Sequence, residues 1–445
     1  MDIIQAIRDA GVVGAGGAGF PTHVKLAVDA ARVIVNGAEC EPLLRVDQLA
    51  MEHQAEKMVR GLLYAMEAAH APEGVIATKK HYHEAVDTLR RAIAGKPNLH
   101  LHLMESYYPS GDEKNVIFEI TGQVVPTGKL PIDLGCVVIN AGTALNIADA
   151  VDGVPVTEKA VTIAGDVPEP LTVTVPIGVS MRDVLRLSGF AGDERDYALL
   201  VGGPCMGNLA ENWDEPVTKT TGGLIPLRRN HQQITRRLLT VEQQAKLARA
   251  ICCQCNRCTQ ICPRNAMGLP VEPHKAMRAI STGHADLLGN AAGVLACSSC
   301  GLCTNFGCEM GLTPSIIMTM LKGELAKAGV KPVPETGIVP EPWIALKEVP
   351  VKRLIARMNL TDFDRDAPLS SKTVKPASVT LPLRQHVGKP AEPVVKVGDM
   401  VARGQLIAAI PDQSLGAALH ASIGGTVSAV TANAITIIAN EAGGH

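Results

Sequence analysis

Cys252-Cys253-Gln254-Cys255-Asn256-Arg257-Cys258-Thr259-Gln260-Ile261-Cys262-Pro263 sets four cysteines, Cys252, Cys255, Cys258 and Cys262, at intervals of x2, x2 and x3, with a proline after the last. That is the bacterial spacing for a [4Fe–4S] cluster. Three thiolates on one tight loop reach three corners of a cubane. The fourth opens a helix, and Pro263 suits the first helical turn, where no backbone N–H is needed. Backbone N–H groups of such a loop point at the sulfides and tune the potential.

A second run follows: Cys297-x2-Cys300-x2-Cys303-x4-Cys308. It carries one extra residue before its last cysteine, and no proline follows Cys308. Where two clusters share a chain, the fourth cysteine of each run serves the other cluster. On that rule Cys262 completes the Cys297, Cys300, Cys303 site, and Cys308 completes the Cys252, Cys255, Cys258 site. Structural zinc is the alternative, but zinc favours two separated CxxC pairs and four ligands in all. Two runs of four, one ending in Cys-Pro, point to two iron–sulfur clusters. Cys253 breaks the spacing and reads as a bystander. Cys40, Cys136 and Cys205 stand alone and read as small buried hydrophobes.

Nine of the 12 cysteines lie between residues 252 and 308. A dense cluster in a long chain indicates metal rather than a disulfide framework. The 445 residues suggest roughly two to four domains. A net charge of −2 argues against nucleic acid or an acidic membrane surface as partner. Aromatic residues make up only 3%, too few for base-stacking platforms. No apolar stretch reaches the roughly 18 residues that would suggest a membrane span, so an integral membrane protein is not expected. The N-terminus lacks the apolar core of a secretory signal, and a cytoplasmic location is the expectation.

Upstream of the cysteines, short apolar strands (Val33–Val35, Val75–Ala77, Leu101–Met104) alternate with helical stretches at 45–70 and 83–93. This pattern predicts an α/β domain with a parallel sheet. From Val161 the pattern strand, strand, helix, strand fits a β-grasp-like unit. Residues 227–250 read as polar helix. Residues 327–370 are rich in proline and read as linker with short elements. The last 70 residues are short apolar strands punctuated by glycine, an all-β module.

The loop Gly14-Ala15-Gly16-Gly17-Ala18-Gly19 has no strand before it and no Gly-Lys-Ser/Thr ending, so it is neither a Rossmann nor a Walker loop. Its glycines still allow backbone N–H groups to approach a phosphate, and Lys25 adds a charge. A flexible turn is the bland alternative. Asn36-Gly37-Ala38-Glu39-Cys40-Glu41 closes a strand, where α/β sheets place ligands. There Glu39 and Glu41 are candidates to bind ribityl or ribose hydroxyls or a nicotinamide. Asn140 and Thr143 begin the helix after the strand CVVIN, where a plain N-cap is the alternative.

The segments GAGGAGFPTHVKL, NGAECEP, YYPSGDEKNVI, TGKLPIDLG and NAGTALNIADAV resemble the flavin-binding domain of respiratory complex I. They resemble still more closely the electron-input subunit of Rnf ion-pumping complexes. The resemblance implies that Gly14, Gly16, Gly17, Lys25, Asn36, Asn140 and Thr143 hold FMN, and that Glu39 and Glu41 line the flavin and NADH pocket. It implies a multidomain α/β protein. Residues 1–155 would form a Rossmann-like FMN/NADH domain, and 156–226 a β-grasp (soluble-ligand-binding) domain. Residues 227–328 would form a helical, ferredoxin-like double [4Fe–4S] domain, 329–372 a linker, and 373–445 a barrel-sandwich hybrid. In that last module PDQSLGAA carries no lysine where lipoyl carriers display one. Its position at the end of the chain is similar to the cobalamin reductases of propanediol-utilisation microcompartments.

That similarity implies electron flow from NADH through FMN and two [4Fe–4S] clusters to cobalamin, taking cobalt from Co(III) through Co(II) to Co(I). The last step needs a strong reductant, and such clusters reach about −700 mV. A cobalamin adenosyltransferase is the implied partner, with shell proteins as further partners, inside a bacterial microcompartment. The competing readings are an NADH-oxidising peripheral subunit of an Rnf-type complex, a relay scaffold that does not bind NADH, and a zinc-stabilised binding protein. Ile3, Ile4 and Ile7 share a helical face, either packed as the first helix of the flavin domain or docked to a microcompartment interior. His386 is a minor candidate for a cobalt ligand.

Overall fold

Val33, Ile34 and Val35 are fully buried, because the strand that carries them, Arg32–Asn36, lies inside a sheet covered on both faces. A computed structural model describes residues 2–335 and 337–440. Its first sheet is parallel throughout, in the order Leu99–Met104, Glu73–Lys79, Arg32–Asn36, Cys136–Asn140. Near-continuous apolar runs such as VIV and CVVI are what such strands require. Val33, Val35, Ile76 and Ile139 face the helices Ala55–Ala68, His83–Ile93 and Ala141–Val151. Ile34, Val75 and Val138 face Val116 and Ile117 of helix Glu113–Thr121. The chain leaves Arg32–Asn36 first to one side and later to the other. The strand order therefore reverses between Arg32–Asn36 and Cys136–Asn140, which opens a crevice at their carboxyl ends. Asn36 and Asn140 are direct register neighbours there.

The helical stretch expected over 45–70 is two helices, Val46–His53 and Ala55–Ala68. They are broken at Gln54, whose φ of −133° lies outside the helical region. The first helix, Ile3–Asp9, is capped by Asp2 and buries Ile3 and Ile7 in the domain core. Its apolar face is thus used in packing, and the microcompartment-docking alternative loses its basis.

The second sheet runs in the order Leu171–Pro176, Glu158–Ile163, Gly223–Arg228, Tyr197–Val201, Asn208–Leu209. Glu158–Ile163 pairs antiparallel with Leu171–Pro176 and parallel with Gly223–Arg228. Helix Met181–Arg186, capped by Ser180, packs Val184 and Leu185 against Val161, Val173 and Trp213. Polar helices Gln232–Leu238 and Val241–Ile251 follow, the second opened by a Thr240/Gln243 capping box. Between and after the cysteine runs come Pro273–Thr282, Ala291–Leu295 and Pro314–Lys327.

The proline-rich stretch carries strand Val349–Pro350, paired with Tyr107–Tyr108, and helix Val351–Arg357. Leu354, Ile355, Met358 and Leu360 there share a core with Leu43, Tyr108 and Leu302. The C-terminal module is two small facing sheets, one of four strands and one of three. Val379, Leu381, Ile407 and Ile437 run into one core with Ile7 and Ile147 of the first domain. Lys219 lies at this junction and donates to the carbonyls of Gly11 (2.6 Å) and Ala418 (2.8 Å). Burial pushes its ammonium down to about 7. Among the described residues no helix is long and apolar enough to cross a membrane.

Candidate functional site

The glycine loop lies over the crevice. A side chain on Gly16 would meet the Asn140 amide at 3.1 Å. Gly17 has φ +108° and only open space where a Cβ would be. That conformation is nearly closed to other residues and leaves room for a ligand above the loop. Ala15 N–H donates to Thr143 Oγ1 (2.9 Å), which ties the loop to the helix Asn140 caps. Asn140 accepts from Gly142 N–H (2.9 Å) and donates to Asp47 (2.8 Å). Asn36 donates to the Gly111 carbonyl (2.9 Å), which brings the 108–114 turn over the strand ends. In that turn Ser110 Oγ is buried without a hydrogen-bond partner among the described residues. An unpartnered buried hydroxyl and a glycine cradle at a sheet switch point suit a polar, phosphate-bearing group such as FMN. Lys25 points to Glu113 at 2.8 Å, so any phosphate contact from it is shared with that carboxylate.

Glu39 and Asp47 face one another at the same crevice. Burial, then the neighbouring carboxylate, pushes Asp47 up to about 8, and burial raises Glu39 as well. Glu39 accepts from Gln48 N–H (3.0 Å). Two lysines answer them. Lys79 donates to the Glu39 carbonyl (3.0 Å), and Lys159 reaches in from the second sheet to the Ala15 carbonyl (2.7 Å). Burial lowers both, Lys159 to about 8. Asp47, Lys79 and Lys159 did not stand out in the sequence. Lys79 ends a strand at the ligand-binding edge, which was a usable signal. Lys159 gave none, because it arrives from another domain.

Glu41 turns away from the glycine loop. It accepts from Cys205 N–H (2.9 Å) and from Tyr108 Oη (3.2 Å). Gly203 permits this, since a Cβ there would stand 2.0 Å from the carboxylate. Burial pushes Glu41 up to about 7. Tyr108 Oη also lies 2.5 Å from the Cys300 carbonyl, to which it donates. This side chain spans from the flavin domain to the second cysteine run. A buried ion pair, Arg264 to Asp112 at 2.7 Å, makes a second bridge between the flavin domain and the cysteine-bearing region. Removing one partner of such a pair typically costs about 3–5 kcal/mol.

The two cysteine loops share one backbone design. Gln254 and Asn256 in the first, Ser299 and Gly301 in the second, all have positive φ at equivalent positions. Such left-handed turns make nests of N–H groups that favour anions, including iron–sulfur clusters. Pro263 stands at the first position of helix Pro263–Ala266 with Cys262 as its cap.

The last cysteine of each run lies near the other run. Gly307 packs on Cys258, with a would-be Cβ 3.3 Å from its Cα, so Cys308 is delivered to the first run. Burial raises the Cys258 thiol to about 12, and Cys308, Cys252 and Cys255 push the same way. Burial takes Cys262 and Cys300 to about 12, and both feel the thiol of Cys297. Cys303 is raised by burial and by Cys297, Cys300 and Cys262. A bound metal supplies the positive charge that turns such thiols into thiolate ligands. Among the described residues no three His, Cys, Asp or Glu side chains crowd closely enough to hold a single ion. Cys262, Cys297, Cys300 and Cys303 are buried, whereas Cys255 and Cys253 are exposed.

Of the single cysteines, Cys136 and Cys205 are buried and Cys40 is half-buried. His386 is buried, with Nε2 beside the Lys389 carbonyl (2.9 Å) and Ala417 N–H (3.1 Å), donating to the first or accepting from the second according to its tautomer. It braces the C-terminal module against Gly19, whose carbonyl accepts from Val387 N–H (3.0 Å).

Comparison with known proteins matches this layout. Residues 7–149 match the Nuo51 FMN-binding domain, 251–313 a 4Fe-4S dicluster domain, and 362–441 the RnfC barrel sandwich hybrid domain. Cobalamin reductase PduS of Salmonella typhimurium is 44% identical over 98% of this chain and 96% of its own length. The protein of the same name from Citrobacter freundii is 43% identical over 98% and 96%. A component of the Na(+)-translocating ferredoxin:NAD(+) oxidoreductase complex of Acetobacterium woodii is 37% identical over 59% of this chain and 57% of its own length.

Proposed function

This chain belongs to the cobalamin reductase PduS family, and from that premise we propose that it passes electrons from NADH to the cobalt of cobalamin, from Co(III) through Co(II) to Co(I). It is an oxidoreductase with an FMN-binding domain, a 4Fe-4S dicluster domain and a barrel sandwich hybrid domain, in a mixed α/β architecture. FMN supplies the change from a two-electron hydride to single electrons, and [4Fe–4S] clusters supply their one-electron relay.

The chain's own residues bind and position. Gly14, Gly16, Gly17, Asn36, Asn140 and Thr143 hold the flavin at the switch point, with Lys25 at its edge. Glu39, with Asp47 and Lys159, lines the nicotinamide side. Glu41 acts as a positioning residue, because both its oxygens are taken by Cys205 N–H and Tyr108. Cys262, Cys297, Cys300 and Cys303 hold one cluster; Cys252, Cys255, Cys258 and Cys308 hold the other. Residues 156–226 serve as a β-grasp domain, a reading supported by their strand order.

The observation that carries the proposal is the asymmetry of the two cysteine sets. The buried set meets the flavin domain through Tyr108, and the other opens to solvent, where an acceptor can approach. The family implies a propanediol-utilisation microcompartment as the setting. We place a cobalamin adenosyltransferase as the partner that consumes cob(I)alamin, and shell proteins as neighbours. The test is anaerobic incubation with NADH and cob(II)alamin, following flavin and corrin absorbance. Flavin bleaching with cob(I)alamin formation is expected. Bleaching with cobalamin untouched would move the acceptor elsewhere, and no bleaching would remove NADH as donor.

A further inference from the structure

A cavity of about 250 Å³ lies between the flavin domain and the second cysteine run, away from the glycine crevice. Lys114, Lys129, Arg264 and Lys322 line it, together with Thr127 and Cys297. Four cations converge on a space that holds no carboxylate lining residue.

Two of the four are partly compensated from outside: Arg264 by Asp112 at 2.7 Å and Lys129 by Asp133 at 3.3 Å. The side-chain hydrogen bonds of the other two go to carbonyls. Lys114 donates to the carbonyls of Val125 (2.9 Å) and Pro126 (3.0 Å), and Lys322 to that of Cys297 (2.7 Å). Burial and then Arg264 push Lys114 down to about 8, Asp112 and Glu113 pull the other way, and Lys322 adds to the lowering. Two buried polar atoms at this site also lack partners among the described residues, Arg264 Nε and Thr127 Oγ1. Arg264 is only 7% exposed and Thr127 1%. A buried donor without a partner is costly, and a guanidinium fork beside lysines is the usual recognition of phosphate.

We propose that this cavity is a phosphate-binding site, separate from the flavin crevice and adjoining the buried cysteine set. The ligand is a compact phosphate group, free or at the end of a nucleotide. The volume falls below the roughly 300–1,000 Å³ of pockets that engulf a whole small-molecule ligand, so a complete dinucleotide does not enter. A phosphate dianion in the cavity meets the lysines that line it and offsets the charge of Lys114 and Lys322. Its seat beside Cys297 gives it an electrostatic line to whatever that thiolate holds.

The test is calorimetric titration of the anaerobically purified, FMN-loaded full chain with inorganic phosphate at constant ionic strength. Saturable binding is expected, weakened about tenfold in Lys322→Gln and in Lys129→Gln, and retained in Lys322→Arg. Lys129 lies on the exposed rim, so its variant reports on the site even if Lys322→Gln folds poorly. ADP competing with inorganic phosphate assigns the group to a nucleotide; phosphate binding without ADP competition assigns it to the free anion. Absence of saturation overturns the proposal, as does binding that none of the variants alters. In either case the cations serve only as counter-charge to the neighbouring thiolates.

Discussion

The first cysteine run closes through the short α-helical turn Arg257–Gln260 and then Cys262-Pro263, while the second closes through a π-helical turn, Cys303–Gly307. A π turn holds one more residue than an α turn. That extra residue is what x4 adds over x3, so the irregular spacing is absorbed by a wider turn and Cys308 still reaches the first run. The wide turn is pinned by its surroundings. Thr304 Oγ1 accepts from Ser315 N–H (2.9 Å), and Asn305 accepts from Gln233 (3.1 Å). The first run faces outward, with Cys255 exposed. Two runs with the same ligand logic are thus built for different surroundings, one inside the core and one at the surface.

Removing a ligand from each set gives the widest contrast. Cys300→Ser should halve the bound iron and also lower the unfolding midpoint by roughly 10 °C, since the Cys300 side chain belongs to a buried core. Cys255→Ser should halve the iron with a shift of only a few degrees. Iron assay and anaerobic thermal unfolding decide it, and equal midpoint losses would break the contrast. Next comes the crossing of the runs. Cys308→Ser should erase the same paramagnetic signal as Cys258→Ser, and Cys262→Ser the same as Cys303→Ser. If Cys308→Ser instead matched Cys303→Ser, the runs would be uncrossed.

A smaller effect is expected at the bridge. Tyr108→Phe keeps the ring but removes the bonds to Cys300 and Glu41. Iron and flavin content should hold, while NADH-driven cluster reduction in stopped flow slows by about tenfold, in line with losing a hydrogen bond of about 1–1.5 kcal/mol. The smallest is Cys253→Ser, which should change neither iron content nor midpoint, because Cys253 is exposed and outside both sets. A drop in iron would make it a ligand.

The 4Fe-4S dicluster region was legible in the sequence because cysteine spacing is a local property of one loop. The sequence carried the parallel sheet because strands buried on both faces must be continuously apolar, as VIV and CVVI are. What it withheld depends on how domains dock. Lys159 enters the crevice from the second sheet, and Glu41 turns toward Cys205, far along the chain. His386 is absorbed into the contact between the C-terminal module and Gly19. The helix break at Gln54 has no glycine or proline to announce it. In each case a neighbour supplied by another part of the chain decides the conformation, and periodicity within a segment does not record it.

The most direct test of the central claim, that two crossed clusters lie between NADH and the acceptor, is electron paramagnetic resonance of the anaerobically purified chain before and after NADH. The account predicts iron for two [4Fe–4S] clusters together with FMN, and two reduced-cluster signals after NADH, one lost in Cys262→Ser and the other in Cys308→Ser. Zinc in place of iron, or a spectrum that NADH leaves unchanged, would contradict it.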